Sequence, residues 1–183
     1  MLKSIFFNVC ILIIVLTIVG CGFKLRGDYG LPSGIQQLQL LAAQKNTPLH
    51  RILSKQLQGF NIEVWDNSVT DSQIDRRVDE QIDAVIYLTS DVLERRLLSL
   101  FSTGQVAEYE LVYTIGYQIQ FPSQDALELE FDVTREYQDD PDAVLAKSRE
   151  LDLIQNEMRH EAANRIIRQI ASSYNIWQQT VGD

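Results

Sequence analysis

The 183-residue chain predicts a single α/β (α+β) domain, two amphipathic helices packed on one face of a mixed β-sheet. Three observations carry that expectation. Apolar residues alternate strictly with others from Leu111 to Phe121 and again from Leu127 to Val133, the period of strands with one buried face. They recur instead every three or four residues over Leu49–Phe60 and Leu151–Tyr174, the period of helices with one apolar stripe. Two such helices and a one-sided sheet bury their apolar surface most economically when both helices lie on the same side.

The elements follow in chain order. Lys3 precedes an apolar run from Ile5 to Val19, interrupted only by Asn8 and Thr17 and ended by Gly20-Cys21. A membrane-spanning helix needs about 20 apolar residues, and this run is shorter. It has the form of a secretory signal with a small residue before the cut. A Cys at the cleavage point makes residues 1–20 a lipoprotein signal and Cys21 the site of lipidation. Several acyl chains at roughly 0.8 kcal/mol per buried CH₂ give a permanent anchor. Gly22 rather than Asp follows the Cys, which points to the outer membrane. Residues 21–34 are rich in Gly and charge and serve as a lead-in. The domain proper spans 35–176, with 177–183 as a C-terminal tail.

Within the domain, Ile35–Ala42 reads as a strand. Thr47-Pro48 opens a helix, a hydroxyl N-cap with Pro at the first helical position, and Leu49, Ile52, Leu53, Leu57 and Phe60 form its stripe. Ile62, Val64 and Trp65 make a short strand, and strand–helix–strand with short connections implies a parallel pair. Asn67–Gln81 is polar and promises one or two helical turns at most. Ala84–Phe101 is strand-like, and Ser102-Thr103-Gly104-Gln105 joins it to the following strand as a long hairpin. Pro122–Asp125 turns the chain into the last strand. Asp140-Pro141 marks the start of a helix of about eight turns whose stripe runs from Leu151 to Tyr174.

Composition narrows the function. Removing residues 1–20 leaves one domain's worth of chain. The signal carries one Lys and no acid, so the mature protein is one unit more negative than the formal −9 of the whole chain. Nucleic acid, which needs a basic field, is not expected as a partner. Of the two cysteines, Cys10 leaves with the signal and Cys21 is used for lipid, so no disulfide and no metal-binding or nucleophilic thiol is expected. No cofactor is expected beyond that covalent lipid.

No catalytic constellation emerges. His160-Glu161-Ala162-Ala163-Asn164 approaches the helical zinc-protease motif but has Asn where the second His ligand belongs. Glu128, Glu130 and Asp132 fall on the polar face of an alternating strand and read as a solvated face. There is no Gly-rich phosphate loop and no nucleophile elbow. A binding or assembly protein is therefore expected, not an enzyme. A negatively charged protein that handled an anionic lipid would depend on local cations, and the candidates include Lys24 and Arg26, Arg95-Arg96, and Lys147 and Arg149. Lys147 falls in the first turns of the long helix, where the helix dipole does not favour a cation. That misfit suggests a role beyond helix stability, against the alternative of an ordinary surface lysine.

Cys21-Gly22-Phe23-Lys24-Leu25-Arg26-Gly27 resembles the mature N-terminus of the LPS-assembly lipoprotein family LptE. Thr103–Tyr109 is similar to that family's central signature, and so is Ala146-Lys147 followed by a helix with Glu157-Met158 and Ile166–Gln169. The resemblance implies two helices against a four-stranded mixed sheet. It also implies a lipoprotein of the cell outer membrane, held on its periplasmic side and inside the β-barrel protein LptD as a 1:1 plug. The plug would help fold the barrel and deliver lipopolysaccharide to the outer leaflet. The implied lipid A contacts are Lys147 and a basic residue at the position of Ser102. Ser has replaced that basic residue, so Arg95 or Arg96 is left to compensate. Thr103, Gly104, Gln105 and Tyr109 are the implied barrel contacts. A stand-alone periplasmic lipid- or peptidoglycan-binding lipoprotein is the alternative.

Overall fold

The computed structural model describes residues 30–65 and 82–181. The signal, Cys21, the Cys21–Gly27 motif and the polar stretch 67–81 lie outside the described residues. The elements are β1 (Gln37–Ala42), α1 (Pro48–Gln58), β2 (Glu63–Trp65), β3 (Ala84–Leu100), β4 (Val106–Gln120), β5 (Leu127–Gln138) and α2 (Val144–Val181). The sheet runs β2-β1-β3-β4-β5. β1 is parallel to both β2 and β3, while β3, β4 and β5 form an antiparallel meander. The sheet has five strands, one more than the four implied by the resemblance; the three residues of β2, read from the sequence as a short parallel strand, pair with Gln37–Gln39 at its edge.

Both periods correspond to real faces. Leu111, Tyr113, Ile115, Tyr117, Ile119 and Phe121 are all buried, as are Phe131 and Val133. They meet Leu49, Leu53 and Leu57 of α1, and Met158, Ala162, Ile166 and Ile170 of α2, in one core. Among the described residues no helix covers the opposite sheet face, which presents Glu128, Glu130 and Asp132 as exposed side chains. Thr114 donates to the Asp132 Oδ1 at 2.7 Å and Gln118 to the Glu128 Oε1 at 3.0 Å across that face. Gly116 interrupts β4 where β3 shifts register at Leu88/Ser90. A Cβ there would stand 2.7 Å from both the Ser90 and Thr89 hydroxyls.

Helix ends follow local chemistry. The Thr47 hydroxyl accepts from the His50 backbone N–H, with Pro48 in the first turn. Gly59 is right-handed at the C-cap, and Asn61 takes the left-handed conformation at φ 58°. The second helix departs from expectation at both ends. The Asp140 Oδ1 accepts from the Asp142 N–H and its carbonyl from the Ala143 N–H, so Asp140-Pro141 forms a turn and α2 starts at Val144. The helix then continues through the expected tail to Val181. Trp177 extends the apolar stripe by one more step of three, stacking on Phe121 (5.4 Å, 17°) beside Tyr174.

This architecture has two poles. At one, Gly34 lies against the Tyr174 ring near the Phe121–Trp177 stack. At the other, the β3–β4 hairpin ends in the turn 101–105, with Gly104 at φ 83°. The 17 residues of β3, at about 3.3 Å each, separate the poles by at most about 55 Å.

Candidate functional site

The hairpin pole holds a row of alternating cations and rings. Arg95 on β3 lies over the Tyr109 ring on β4, its Cζ 4.1 Å from the centroid. Tyr109 is the register partner of Tyr137 on β5. The Lys147 Nζ of α2 stands 5.5 Å from the Tyr137 centroid. Strand pairing sets this order: Arg95 pairs with Leu111, and Tyr109 and Tyr137 share the same face. The side toward the helices is apolar near the centre of the sheet and becomes a cation–aromatic surface near the hairpin. Attraction between a cation and a ring face, about 0.5–1 kcal/mol at exposed sites, preorganises both cations.

Two further bonds fix the Lys147 end. The Tyr137 Oη donates to the Lys147 carbonyl at 2.9 Å, which ties the first turn of α2 to β5. The Lys147 Nζ donates to the Glu150 Oε2 at 2.9 Å. That bond raises the Lys147 pKa above its ordinary value. Burial raises the Tyr137 phenol, with Asp139 adding to it, so this ring stays neutral. Glu150 offsets the misfit of Lys147 with the helix dipole and also competes with any anion for the ammonium.

Between hairpin and helix lies an open groove of about 520 Å³, lined by Arg95, Gly104, Gln105, Val106, Tyr109, Tyr137, Asp139, Asp140, Pro141, Val144, Lys147, Ser148 and Leu151. It places two cations and two carboxylates beside the apolar Val106, Val144 and Leu151, so an anionic head entering it would have to lie on Arg95 and Lys147 and away from Asp139 and Asp140.

The expected site residues divide between the groove and its surroundings. Lys147, Arg95, Gly104, Gln105 and Tyr109 come together. Arg96 does not: it lies on the opposite sheet face beside its register partner Glu110, and its Nη2 donates to the Glu94 Oε2 at 2.8 Å. Ser102 and Thr103 are exposed in the turn and do not line the groove. Of the two arginines left open by sequence, Arg95 is the one placed to act with Lys147. Sequence reasoning missed Tyr137. Its parity with Leu127, Leu129, Phe131 and Val133 was the available signal, hidden by Arg135 in the same series. Arg135 itself pairs with Glu161, and His160 meets Gln56 of α1 at 3.3 Å, so the near-motif residues bridge elements of the fold.

Residues 35–170 match the model of the family described as LptE: Lipopolysaccharide-assembly. A protein of Pectobacterium atrosepticum named LPS-assembly lipoprotein LptE is 33% identical over 85% of this chain and 79% of its own length. A namesake from Photorhabdus laumondii is 29% identical over 90% of this chain and 85% of its own. Among solved structures, the rare lipoprotein B of Shewanella oneidensis superposes with a TM-score of 0.65 at 34% identity, covering 78% of this chain and 99% of that one. The lipoprotein B of Nitrosomonas europaea does so with a TM-score of 0.65 at 25% identity, covering 84% and 93%.

Proposed function

Because this chain belongs to the lipopolysaccharide-assembly LptE family, we propose that it is the outer-membrane lipoprotein that plugs the LptD barrel and contacts lipopolysaccharide during delivery to the outer leaflet. The observation that carries the lipid contact is the Arg95–Tyr109–Tyr137–Lys147 row at the open end of the groove. Two cations held on ring faces, in a chain of net charge −9, form a local anion site that the overall field does not provide. Arg95 supplies the second cation in place of Ser102.

The two poles support the plug. Gly34 lies against Tyr174 at the pole away from the hairpin, so an anchor thirteen residues earlier, at Cys21, would tether the domain from that end. The hairpin then reaches at most about 55 Å away, comparable with the ~40–45 Å of a whole bilayer. A polar barrel lumen is the environment in which the exposed carboxylate face stays solvated along that length.

Lipopolysaccharide binding by the purified protein tests the contact. Lys147→Glu and Arg95→Glu should each weaken it about tenfold or more, with thermal melting within a degree or two of the parent. Unchanged binding in both variants would remove the groove from the account.

A further inference from the structure

Beyond the residues that line the groove, the β3 arm of the hairpin ends in exposed apolar side chains that the cation row does not use. Leu97, Leu98, Leu100 and Phe101 are 54%, 48%, 54% and 45% exposed, four large apolar side chains within five positions. Single exposed apolar residues are ordinary, but a contiguous patch marks a binding surface. Register shifts at Leu97/Ser99 and Ser99/Leu100 end the alternation that hides apolar side chains elsewhere in β3. Across the groove, Val144 and Leu145 of α2 are 65% and 81% exposed, although the helix has a buried stripe available to apolar residues farther along.

We propose that this hairpin tip is an acyl-chain subsite: it receives the fatty chains of an anionic glycolipid whose phosphates lie on Arg95 and Lys147. The proposal rests on the lipopolysaccharide contact proposed above and assigns the other half of the ligand. Spacing favours a lipid over a protein wall. Leu97 follows Arg95 by two residues on the same strand face, about 7 Å, and Val106 and Val144 line the same groove as the two cations. Charge and aliphatic surface therefore adjoin within the dimensions of one lipid molecule. The order along β3, cation first and leucines toward the turn, also sets the direction of the bound lipid, with its chains toward the hairpin pole.

Photo-crosslinking in living cells, with the full chain in its native complex, tests this. p-Benzoylphenylalanine is installed at Leu98, at Phe101 and, as the headgroup reference, at Ser148 beside Lys147. Lipopolysaccharide adducts at the tip and at Ser148 are expected. Adducts at Ser148 with only protein or phospholipid adducts at Leu98 and Phe101 overturn the acyl subsite and leave the headgroup contact standing. Absence of lipopolysaccharide adducts at all three overturns both. As an independent readout, the purified full chain should bind intact lipopolysaccharide at least tenfold more tightly than its fully deacylated form. Leu98→Ser combined with Leu100→Ser should abolish that ratio without lowering Tm. A parent protein that binds the two forms equally overturns the subsite while retaining the phosphate contact.

Discussion

Lys147 shows how the meaning of a residue depends on its partners. In the sequence it is a cation near a helix N-terminus, a mild misfit. In the fold, Glu150 and the Tyr137 ring hold its ammonium while the backbone around it is tied to β5. Tyr137 was not legible because Arg135 interrupts the apolar parity. Arg95 could not be separated from Arg96, since adjacent strand residues face opposite sides and only the register says which. Leu97, Leu98, Leu100 and Phe101 read as part of a strand, and their exposure depends on where the helices stop covering it. Burial also tunes the tyrosines facing the core. It pushes the Tyr117 phenol up to about 12, and Arg165 works against that shift. Tyr113 is raised as well, by burial and by Asp91. The folded state therefore binds these protons more tightly than the unfolded chain, whose phenols titrate near 10. Stability should be complete below pH 10 and fall as pH rises from about 10 to 12. Thermal melting across that window should show the decline, and Tyr117→Phe should make it shallower. A flat profile for the parent would contradict the assignment.

At the scale of elements, the periodicities placed both helices and the strands, and turn chemistry placed the hairpin. They misjudged what lies at element ends. Trp177 falls one step beyond the apparent stripe, and its role depends on Phe121, which is distant in sequence. That stack extends α2 into residues expected to form a tail. Trp177→Ala should destabilise the domain by about 2–3 kcal/mol, lowering Tm by roughly 5–10 °C. Lys147→Glu should leave Tm where it was, so melting separates the structural pole from the proposed binding pole. A Trp177→Ala protein melting like the parent would mean that the last turns add nothing. β5 illustrates a second element-level rule. It is an edge strand of 12 residues, open to pairing with other chains. Its exposed acids, and the Arg165 guanidinium donating to the Asp132 carbonyl from α2, guard that edge.

For the whole molecule, the long hairpin and α2 run side by side between the poles, with the core concentrated where both helices cover the sheet. The structural pole is aromatic and closed. The other pole is open, with Arg95 and Lys147 in its groove and exposed apolar side chains at its tip. The family resemblance implied a polar plug with a probing hairpin; the length of β3 makes this a body of at most about 55 Å, with Arg95 and Lys147 toward one end. The proposed plug requires this body to be tethered at the opposite end and held inside a barrel, not free in the periplasm. Gentle detergent extraction of the native lipoprotein from outer membranes tests this most directly. A barrel protein of much greater mass should copurify in equal molar amount. A clean monomer that retains lipopolysaccharide binding would instead support the stand-alone carrier and contradict the plug.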